Sequence, residues 1–434
     1  ASTSGKGNAG NVTINAKDAI ALTGNVDISS TLEAGAVGQG GNININAANL
    51  ILQDGAQIAA STRGQGNAGN VTIIGKDSVT SASNSLVLST VEAGAVGQGG
   101  NININAANLI LRDSAQLATA TRRASGTLPA GQGNAGNVNV NVTGVVDITG
   151  ATNTSSTGIF SLMQNETKGD GGNITIDTGS LKLQGGVRLS ASTNGQGNAG
   201  NVTITAKENA FLTGEAYILS AVETSGMGKG GNIDINAATV SLQDGARLSA
   251  LTRGQGNAGN VTITAKDAVS LRGHPTIVIS TVEAGAIGKG GNIDINAATV
   301  SLQDGAQLAT SVRRGSETRP GGRGNAGNVN LKVTGLVDIT GVKNDYSSGI
   351  FSLMEIGTEG NGGNISIDAS SFKLQDDARL VASTSGKGNA GNVTVNAKDA
   401  VFLTGNAYIF STVEAGGVGK GGNINLYANS LSLA

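Results

Sequence analysis

Apolar and polar residues alternate along short stretches of this chain. In residues 11–16, Val12 and Ile14 face one side of an extended backbone, and polar side chains face the other. Similar runs follow at residues 19–23 and 26–32, and glycine-rich bends separate them. A period of two is the pattern of a β-strand with one buried face. We therefore predict three short strands in this first stretch.

Two short motifs repeat this arrangement along the whole chain. One reads Gly-Asn-Ala-Gly-Asn-Val and the other Gly-Gly-Asn-Ile, and together they mark 14 units spaced 28, 31, 32 or 36 residues apart. The asparagine that begins the first strand of each unit is Asn11, Asn42, Asn70, Asn101, Asn137, Asn173, Asn201, Asn232, Asn260, Asn292, Asn328, Asn364, Asn392 and Asn423. Repeats of this length are typical of solenoids, in which each unit buries its apolar face against its neighbours.

A longer repeat of 190–191 residues lies above the short one. It divides the chain into residues 11–200, residues 201–391 and a partial copy, residues 392–434. Uncommon residues recur with it, for example Phe160 with Phe351. We predict one continuous solenoid over residues 1–434.

The predicted fold is all-β: a right-handed parallel β-helix, or β-solenoid, of about 14 three-stranded coils without capping domains. Helices are disfavoured, because a glycine inside a helix costs about 1 kcal/mol and no 3.6-residue apolar spacing is seen. Sandwiches and propellers use antiparallel hairpins and larger, aromatic-rich cores, whereas this chain has six Phe, four Tyr and no Trp.

Stacking would turn each repeated position into a column of side chains about 4.8 Å apart. For the 14 asparagines we predict a structural role. Asparagine tolerates left-handed backbone geometry at a corner, and its amide can bond to the asparagines above and below, as in cross-β stacks.

A second predicted column carries charge at the end of the third strand. Its charged members are Glu33, Arg63, Glu92, Arg122, Glu223, Arg253, Glu283, Arg313, Glu355 and Glu414, and Gln164, Asn194 and Ser385 occupy the same position in other units. Glu and Arg mostly alternate, so opposite charges would lie in neighbouring coils. Exposed pairs contribute about 0–1 kcal/mol each, so we expect the column to fix the register of the coils more than their stability.

Two insertions, residues 122–131 and 313–322, lengthen their units to 36 residues. Both carry paired arginines. The candidate contact residues in these loops are Arg122, Arg123, Arg313, Arg314 and Arg319. They offer a basic surface to an anionic polysaccharide or a neighbouring fibre, and the alternative is a tolerated surface loop.

Composition and charge exclude several classes of partner. A formal net charge of −2 leaves no basic surface for nucleic acid. No apolar run approaches the roughly 18 residues that span a membrane, so no membrane span is predicted in this segment. The chain contains no Cys and therefore no disulfide.

The residues that catalysis and metal binding require are scarce. His274 is the single histidine and no Cys/His cluster exists. Residues 230–234 share Gly, Asn and Asp with calcium-binding nonapeptides, but the period here is about 32 and Asn44, Asn103 or Thr175 replaces the Asp in other units. We predict no catalytic, cofactor or metal site and no enzyme activity.

The repeated Gly-Asn-Ala-Gly-Asn-Val-Thr-Ile and Gly-Gly-Asn-Ile-Asn-Ile motifs resemble the repeats of filamentous haemagglutinin-like large exoproteins, and are most similar to cyanobacterial versions. The resemblance covers the whole chain. It implies a right-handed β-helix that is exported by two-partner secretion and forms surface fibres or adhesins. The secretion domain of that family, with its Asn-Pro-Asn-Gly-type motif, is not found in this sequence.

The sequence therefore predicts a secreted or cell-surface fibre segment that serves surface architecture, adhesion, matrix or biofilm. Its expected partners are further coils of the same chain and, in second place, a polysaccharide or another cell surface. One alternative is a solenoid that binds glycan or a solid surface through outward Thr and Asn residues. A β-helix polysaccharide lyase is a third. Residues 1–10 recur at 382–391, so we expect a stretch of a longer fibre.

Overall fold

The computed structural model describes residues 1–150 and 156–434 of the chain. Its regular secondary structure is β throughout, and none of the described residues lies in a helix. Successive coils pair in parallel, so the chain forms a β-solenoid of about 14 turns. The predicted fold class is confirmed.

The described residues group into two compact units. The first comprises Ala1–Lys207 and Ala216–Gly231, and the second comprises Glu208–Glu215 and Asn232–Ala434. Each unit contains two kinds of parallel sheet: sheet A, built from the third strands of the coils, and sheet B, built from the first and second strands. The prediction of one continuous solenoid over residues 1–434 stays a prediction.

In the first unit, eight strands make up sheet A in chain order. They are Ser2–Thr3, Asp27–Leu32, Gln57–Thr62, Leu86–Val91, Gln116–Thr121, Gly158–Met163, Arg188–Thr193 and Tyr217–Val222. The strands of sheet B are Val12–Asn15, Ala19–Thr23, Ile43–Gln53, Val71–Ser81, Ile102–Arg112, Val138–Val142, Val145–Thr149, Ile174–Thr178, Ser180–Gln184 and Val202–Ala206.

The second unit repeats this construction. Its sheet A contains Arg247–Thr252, Ile277–Val282, Gln307–Val312, Gly349–Met354, Arg379–Val381 and Tyr408–Phe410. Its sheet B contains Asn209–Thr213, Ile233–Gln243, Val261–Arg272, Ile293–Ala297, Thr299–Gln303, Val329–Val333, Leu336–Thr340, Ile365–Gln375, Val393–Thr404, Ile424–Tyr427 and Ser430–Leu433.

The first two strands of a coil are not always separate. Ile43–Gln53 is one strand of 11 residues, and its register with Val71–Ser81 shifts between Ala47 and Asn49. A β-bulge of this kind bends a strand without ending it. The Asn-Ala-Ala-Asn sequence at this bend contains no glycine, so the backbone stays extended where we predicted a break.

Within each unit the core is a column of mainly aliphatic side chains. In one representative coil Ile43, Ile45, Leu50, Leu52 and Ile58 are each at most 1% exposed. These are the alternate positions of the three predicted runs, so the period-two pattern is confirmed there. Most coils contribute similar aliphatic side chains, with an occasional aromatic ring such as Phe372, so the core grows chiefly by repetition.

The glycine-rich segment before each asparagine motif also pairs between coils. A single parallel bridge joins Lys6 to Val37, Val37 to Gln65 and Gln65 to Val96, and similar bridges continue within each unit. The sequence did not predict this fourth line of backbone pairing, because the segment lacks the alternation of a strand.

The arginine-bearing insertions form tight antiparallel turns, closed by backbone hydrogen bonds between Ser125 and Leu128 and between Ser316 and Arg319. A further insertion in the second unit was missed. There, Val342–Lys343 and Tyr346–Ser347 form the antiparallel hairpin of the next coil.

Candidate functional site: side-chain columns and arginine loops

The asparagine motif forms a hydrogen-bonded column within each unit. The Asn11 Oδ1 accepts the backbone N–H of Asn42 at 2.8 Å, and the Asn42 Oδ1 accepts the N–H of Asn70 at 2.8 Å. The second unit repeats this contact, for example between Asn260 and Asn292 at 2.8 Å. The side-chain oxygen of one asparagine therefore accepts the backbone N–H of the asparagine that precedes the first strand of the following coil.

The left-handed backbone considered for the asparagines is not found, and the predicted bond to the next asparagine is made to its backbone N–H. None of the 14 asparagines has a positive φ; left-handed residues lie instead at the turn before the third strand, as at Asp54 (φ 57°) and Asp244 (φ 49°). The recurring partner is the backbone N–H and not the neighbouring amide. The reason is geometric: the residue begins an extended strand whose N–H points along the stack, within reach of the preceding side-chain oxygen.

A second polar column was missed by the sequence reasoning. The Asn67 Oδ1 accepts the backbone N–H of Gln98 at 2.8 Å, and the Gln98 Oε1 accepts that of Asn134 at 3.1 Å. Asp170 occupies this position in the next coil, and its Oδ1 accepts the N–H of Asn198 at 2.7 Å. The signal was the first asparagine of Gly-Asn-Ala-Gly-Asn, which recurs three residues before the one we singled out.

Glycines beside these columns permit a very close approach of consecutive coils. A Cβ placed on Gly100 would lie 2.0 Å from the carbonyl oxygen of Gly69, and one placed on Gly66 would lie 1.6 Å from that of Gly38. Real Cβ contacts do not occur at such distances. The repeated glycines therefore serve stacking as well as turning.

Buried hydroxyl groups on sheet A bind the backbone of the glycine segment. The Ser280 Oγ donates to the Gly259 carbonyl oxygen at 2.8 Å and accepts the Gly291 N–H at 2.8 Å. Ser30 and Ser89 make the corresponding donor contacts in the first unit. These serines were not singled out from the sequence.

The charge column brings several predicted pairs together. The Arg63 Nη1 lies 3.1 Å from Glu33 Oε2, and the Arg122 Nε lies 4.0 Å from Glu92 Oε1. In the second unit the Arg313 Nη1 lies 2.7 Å from Glu355 Oε1. Glu283 and Glu414 instead accept hydrogen bonds from threonines two residues earlier in their own coils.

Other ion pairs were not anticipated. Arg112 Nη2 lies 3.6 Å from Asp147 Oδ2, and Arg272 Nε lies 2.8 Å from Asp304 Oδ2. The Asp304 carboxylate raises the pKa of Arg272 through its hydrogen bond and its charge. These pairs join neighbouring coils across sheet B, and exposed pairs of this kind contribute little to stability.

The outward Thr and Asn positions of the first strands also form a column. Thr13 pairs with Asn44, Asn44 with Thr72, and Thr72 with Asn103 in register. Direct amide contacts occur at some steps, as between Asn139 Nδ2 and Asn103 Oδ1 at 2.9 Å. This face offers a regular row of hydroxyl and amide groups.

The arginine loops lie at the ends of sheet A strands. Arg122 and Arg123 line a groove of about 690 Å³ together with Glu92 and Gln164. The backbone N–H of Arg123 donates to the Gln164 Oε1 at 3.0 Å, which ties the loop to the next coil. In the second unit Arg313 and Arg314 contact Glu355, and the Arg319 side chain packs beside Gly285.

His274 is stacked on an aromatic ring. Its ring centroid lies 3.7 Å from that of Tyr346, with the planes 12° apart, so the missed hairpin covers the histidine. Burial lowers the pKa of His274, and the charges of Arg247 and Lys343 lower it further. Among the described residues, no group of three His, Cys, Asp or Glu side chains is placed to hold a metal ion.

Comparison with known protein families, with characterised proteins and with solved structures finds no match. The likeness to filamentous haemagglutinin-like exoproteins therefore rests on the repeat motifs themselves. Within the described residues there is also no helix with the length and apolarity that a membrane crossing needs.

Proposed function

We propose that this chain is a structural segment of an extracellular or cell-surface fibre, used for surface architecture, adhesion, matrix or biofilm. The observation that carries the proposal is the repetition of one coil-to-coil contact. In each unit the Oδ1 of one asparagine accepts the backbone N–H of the asparagine in the next coil. The contact is the same where the two are 28 residues apart, as for Asn42 and Asn70, and where they are 36 apart, as for Asn101 and Asn137. A stack extended by identical contacts suits a load-bearing filament.

The distribution of polar groups supports the same role. The asparagine and charge columns lie at the corners and outer faces, the interior is mainly aliphatic with buried serine and threonine hydroxyls, and charges form scattered pairs such as Arg63 with Glu33. Enzyme sites need titratable groups that converge in one cleft. His274, the single histidine, is stacked on Tyr346 instead. We therefore rank a polysaccharide lyase below the fibre and surface-binding functions. Turnover of acidic polysaccharides by the purified chain would overturn this order.

The test is to locate the protein on cells that produce it. Antibodies raised against the chain, used for immunogold electron microscopy of intact cells, should label filaments outside the envelope. Deletion of the segment should shorten or remove those filaments and reduce attachment to surfaces. Label confined to the cell interior would contradict the proposal.

A second candidate function is binding of a glycan or a solid surface through the outward Thr/Asn column. The register of Thr13, Asn44, Thr72 and Asn103 favours it, because it spaces hydroxyl and amide groups regularly along one face. Asp234 and Asp294 interrupt the column in the second unit, which disfavours ice. Glycan-array screening tests the glycan role and thermal hysteresis tests the ice role. Substitution of Thr72 and Asn103 by alanine should abolish a signal that uses this face.

A further inference from the structure

A groove of about 580 Å³ lies on sheet A in the first unit. It is lined by Arg122 and Arg123 from the insertion loop and by Arg188 at the start of a sheet A strand. Its volume is within the range of sites that bind small molecules.

The lining of this groove is predominantly basic. It contains three guanidinium groups and one carboxylate, that of Glu223. Arg122 is held only weakly, because its Nε lies 4.0 Å from the nearest Glu92 oxygen. The Arg188 Nε is buried without a hydrogen-bond partner, and the guanidinium carbon lies 5.7 Å from the centre of the Tyr217 ring. Three guanidinium groups against one carboxylate leave the lining with a net positive charge, so the groove favours an anionic guest.

Neutral polar groups surround these charges. Gln164, Asn165 and Asn194 line the groove, together with Ser190 and Ser192. Amide and hydroxyl groups both donate and accept hydrogen bonds. They can therefore pair with sugar hydroxyls, which also do both. A guest with one acidic group and several hydroxyls matches this lining better than a bare phosphate or an apolar ligand.

The second unit carries a copy of the same structure 191 residues later, and its contacts differ. Glu355 replaces Gln164. One of its oxygens pairs with Arg313 at 2.7 Å, and the other accepts the backbone N–H of Arg314 at 3.0 Å. The second copy therefore carries a carboxylate beside its arginine loop where the first copy has a neutral amide.

The polar lining is also reduced in the second copy. Ile356 replaces Asn165, Val381 replaces Ser190 and Ser385 replaces Asn194. The aromatic contact is retained, since Arg379 lies 5.6 Å from the centre of the Tyr408 ring. The two copies therefore share their architecture and differ in the groups that would recognise a ligand.

We propose that the groove of the first unit binds an acidic oligosaccharide, and that its second-unit counterpart does not. Arg123 and Arg188 would hold the carboxylate or sulfate of a sugar residue, because the planar guanidinium fork matches such anions. Gln164, Asn165 and Asn194 would bind the hydroxyls of the same or the adjacent ring. The proposal goes beyond the fibre function and does not depend on it.

The test is isothermal titration calorimetry of the full chain with three probes of equal length: oligogalacturonate, a sulfated malto-oligosaccharide and the neutral malto-oligosaccharide. One site per chain is expected for an acidic probe, with little heat from the neutral one. The acidic probe that binds identifies whether carboxylate or sulfate is recognised. Equal binding of the neutral probe, two equal sites per chain, or no binding of either acidic probe would overturn the proposal.

The internal copy supplies matched controls. Arg123→Gln and Arg188→Gln should each weaken binding about tenfold or more, since hydrogen bonds to charged groups are worth about 1.5–3 kcal/mol. Arg314→Gln and Arg379→Gln remove the same charge from the second copy and should leave affinity unchanged. Equal losses in both sets would indicate a general charge effect and would refute a localised site.

Gln164→Glu places a carboxylate in the first copy at the position that Glu355 occupies in the second. It should weaken binding as strongly as Arg123→Gln, while Glu355→Gln should leave affinity unaltered. Thermal unfolding of each variant, followed by circular dichroism, separates a loss of binding from a loss of fold. Wild-type affinity in folded Gln164→Glu protein would contradict the proposed recognition.

Discussion

The side-chain Oδ1 of Asn70 accepts the backbone N–H of Asn101 at 2.7 Å, and the Oδ1 of Asn101 accepts that of Asn137 at 2.8 Å. The first pair is 31 residues apart and the second 36. The contact is therefore independent of coil length. It fixes the point at which each coil begins its first strand, and insertions are accommodated elsewhere in the coil.

Asn101→Ala should destabilise the chain by about 1–2 kcal/mol. The substitution removes the acceptor for the Asn137 N–H, and a partly buried backbone donor left unpaired costs about that amount. Urea unfolding followed by circular dichroism measures the change. Asn105→Ala is the matched control: Asn105 is exposed on the strand that follows Asn101, so its truncation should change stability by less than about 0.5 kcal/mol. Equal effects of the two variants would show that the column adds nothing to stability.

Gly100→Ala should destabilise the first unit far more, by at least about 3 kcal/mol, because the added Cβ would lie 2.0 Å from the Gly69 carbonyl oxygen and the backbone cannot yield without separating the coils. Gly10→Ala changes the same motif position, where the nearest atom to the new Cβ is that of Ala1 at 3.5 Å. That variant should be neutral or slightly stabilising. The thermal unfolding midpoint distinguishes them, and a tolerated Gly100→Ala would mean that the coils are less tightly stacked.

The repeated strands were predictable because burial imposes a period of two that recurs from coil to coil, as at Ile43 and Ile45. The partners of the polar side chains were less accessible. Sequence spacing placed Asn101 in a column. It could not show whether the Asn101 side-chain oxygen would accept a hydrogen bond from a neighbouring side-chain amide or from a backbone N–H. That choice depends on where the strand N–H points.

The hairpin insertion of the second unit was missed for a related reason. Its hairpin, Val342–Lys343 with Tyr346–Ser347, is short and lacks alternation. Its packing on His274 joins residues more than seventy positions apart in the sequence. Gln164 and Glu355 were visible as a difference between copies, yet their meaning emerged only from the contacts of Glu355 with the arginine loop.

Ser280→Ala should cost about 1–3 kcal/mol. It leaves the Gly259 carbonyl and the Gly291 N–H without their buried partner. Steric strain is not expected, because Ala250 occupies the paired position in the preceding coil. Thr264→Ala, on an exposed side chain of sheet B, controls for the loss of a hydroxyl. Urea unfolding that shows the same small change for both variants would contradict a structural role for the buried hydroxyl.

His274 gives the second unit a defined pH response. Burial lowers its pKa from the ordinary value of 6.5, with further contributions from Arg247 and Lys343. The unfolded chain therefore binds the proton more readily than the folded chain. The part of the stability that depends on His274 should be fully present above about pH 6.5, the pKa of the unfolded chain. It should be lost as the pH drops through the lower pKa of the folded chain.

His274→Gln should remove this part of the pH dependence. The thermal unfolding midpoints of wild-type and variant protein, compared from pH 7.5 to pH 4.5, should differ by an amount that changes across the window below pH 6.5. Because carboxylates titrate in both proteins, the difference between the two curves isolates the histidine. Tyr346→Leu tests the cause: it removes the ring that covers His274, so it should bring the histidine pKa, followed by nuclear magnetic resonance, closer to its ordinary value. An unshifted histidine pKa in the wild-type protein would refute the proposed burial.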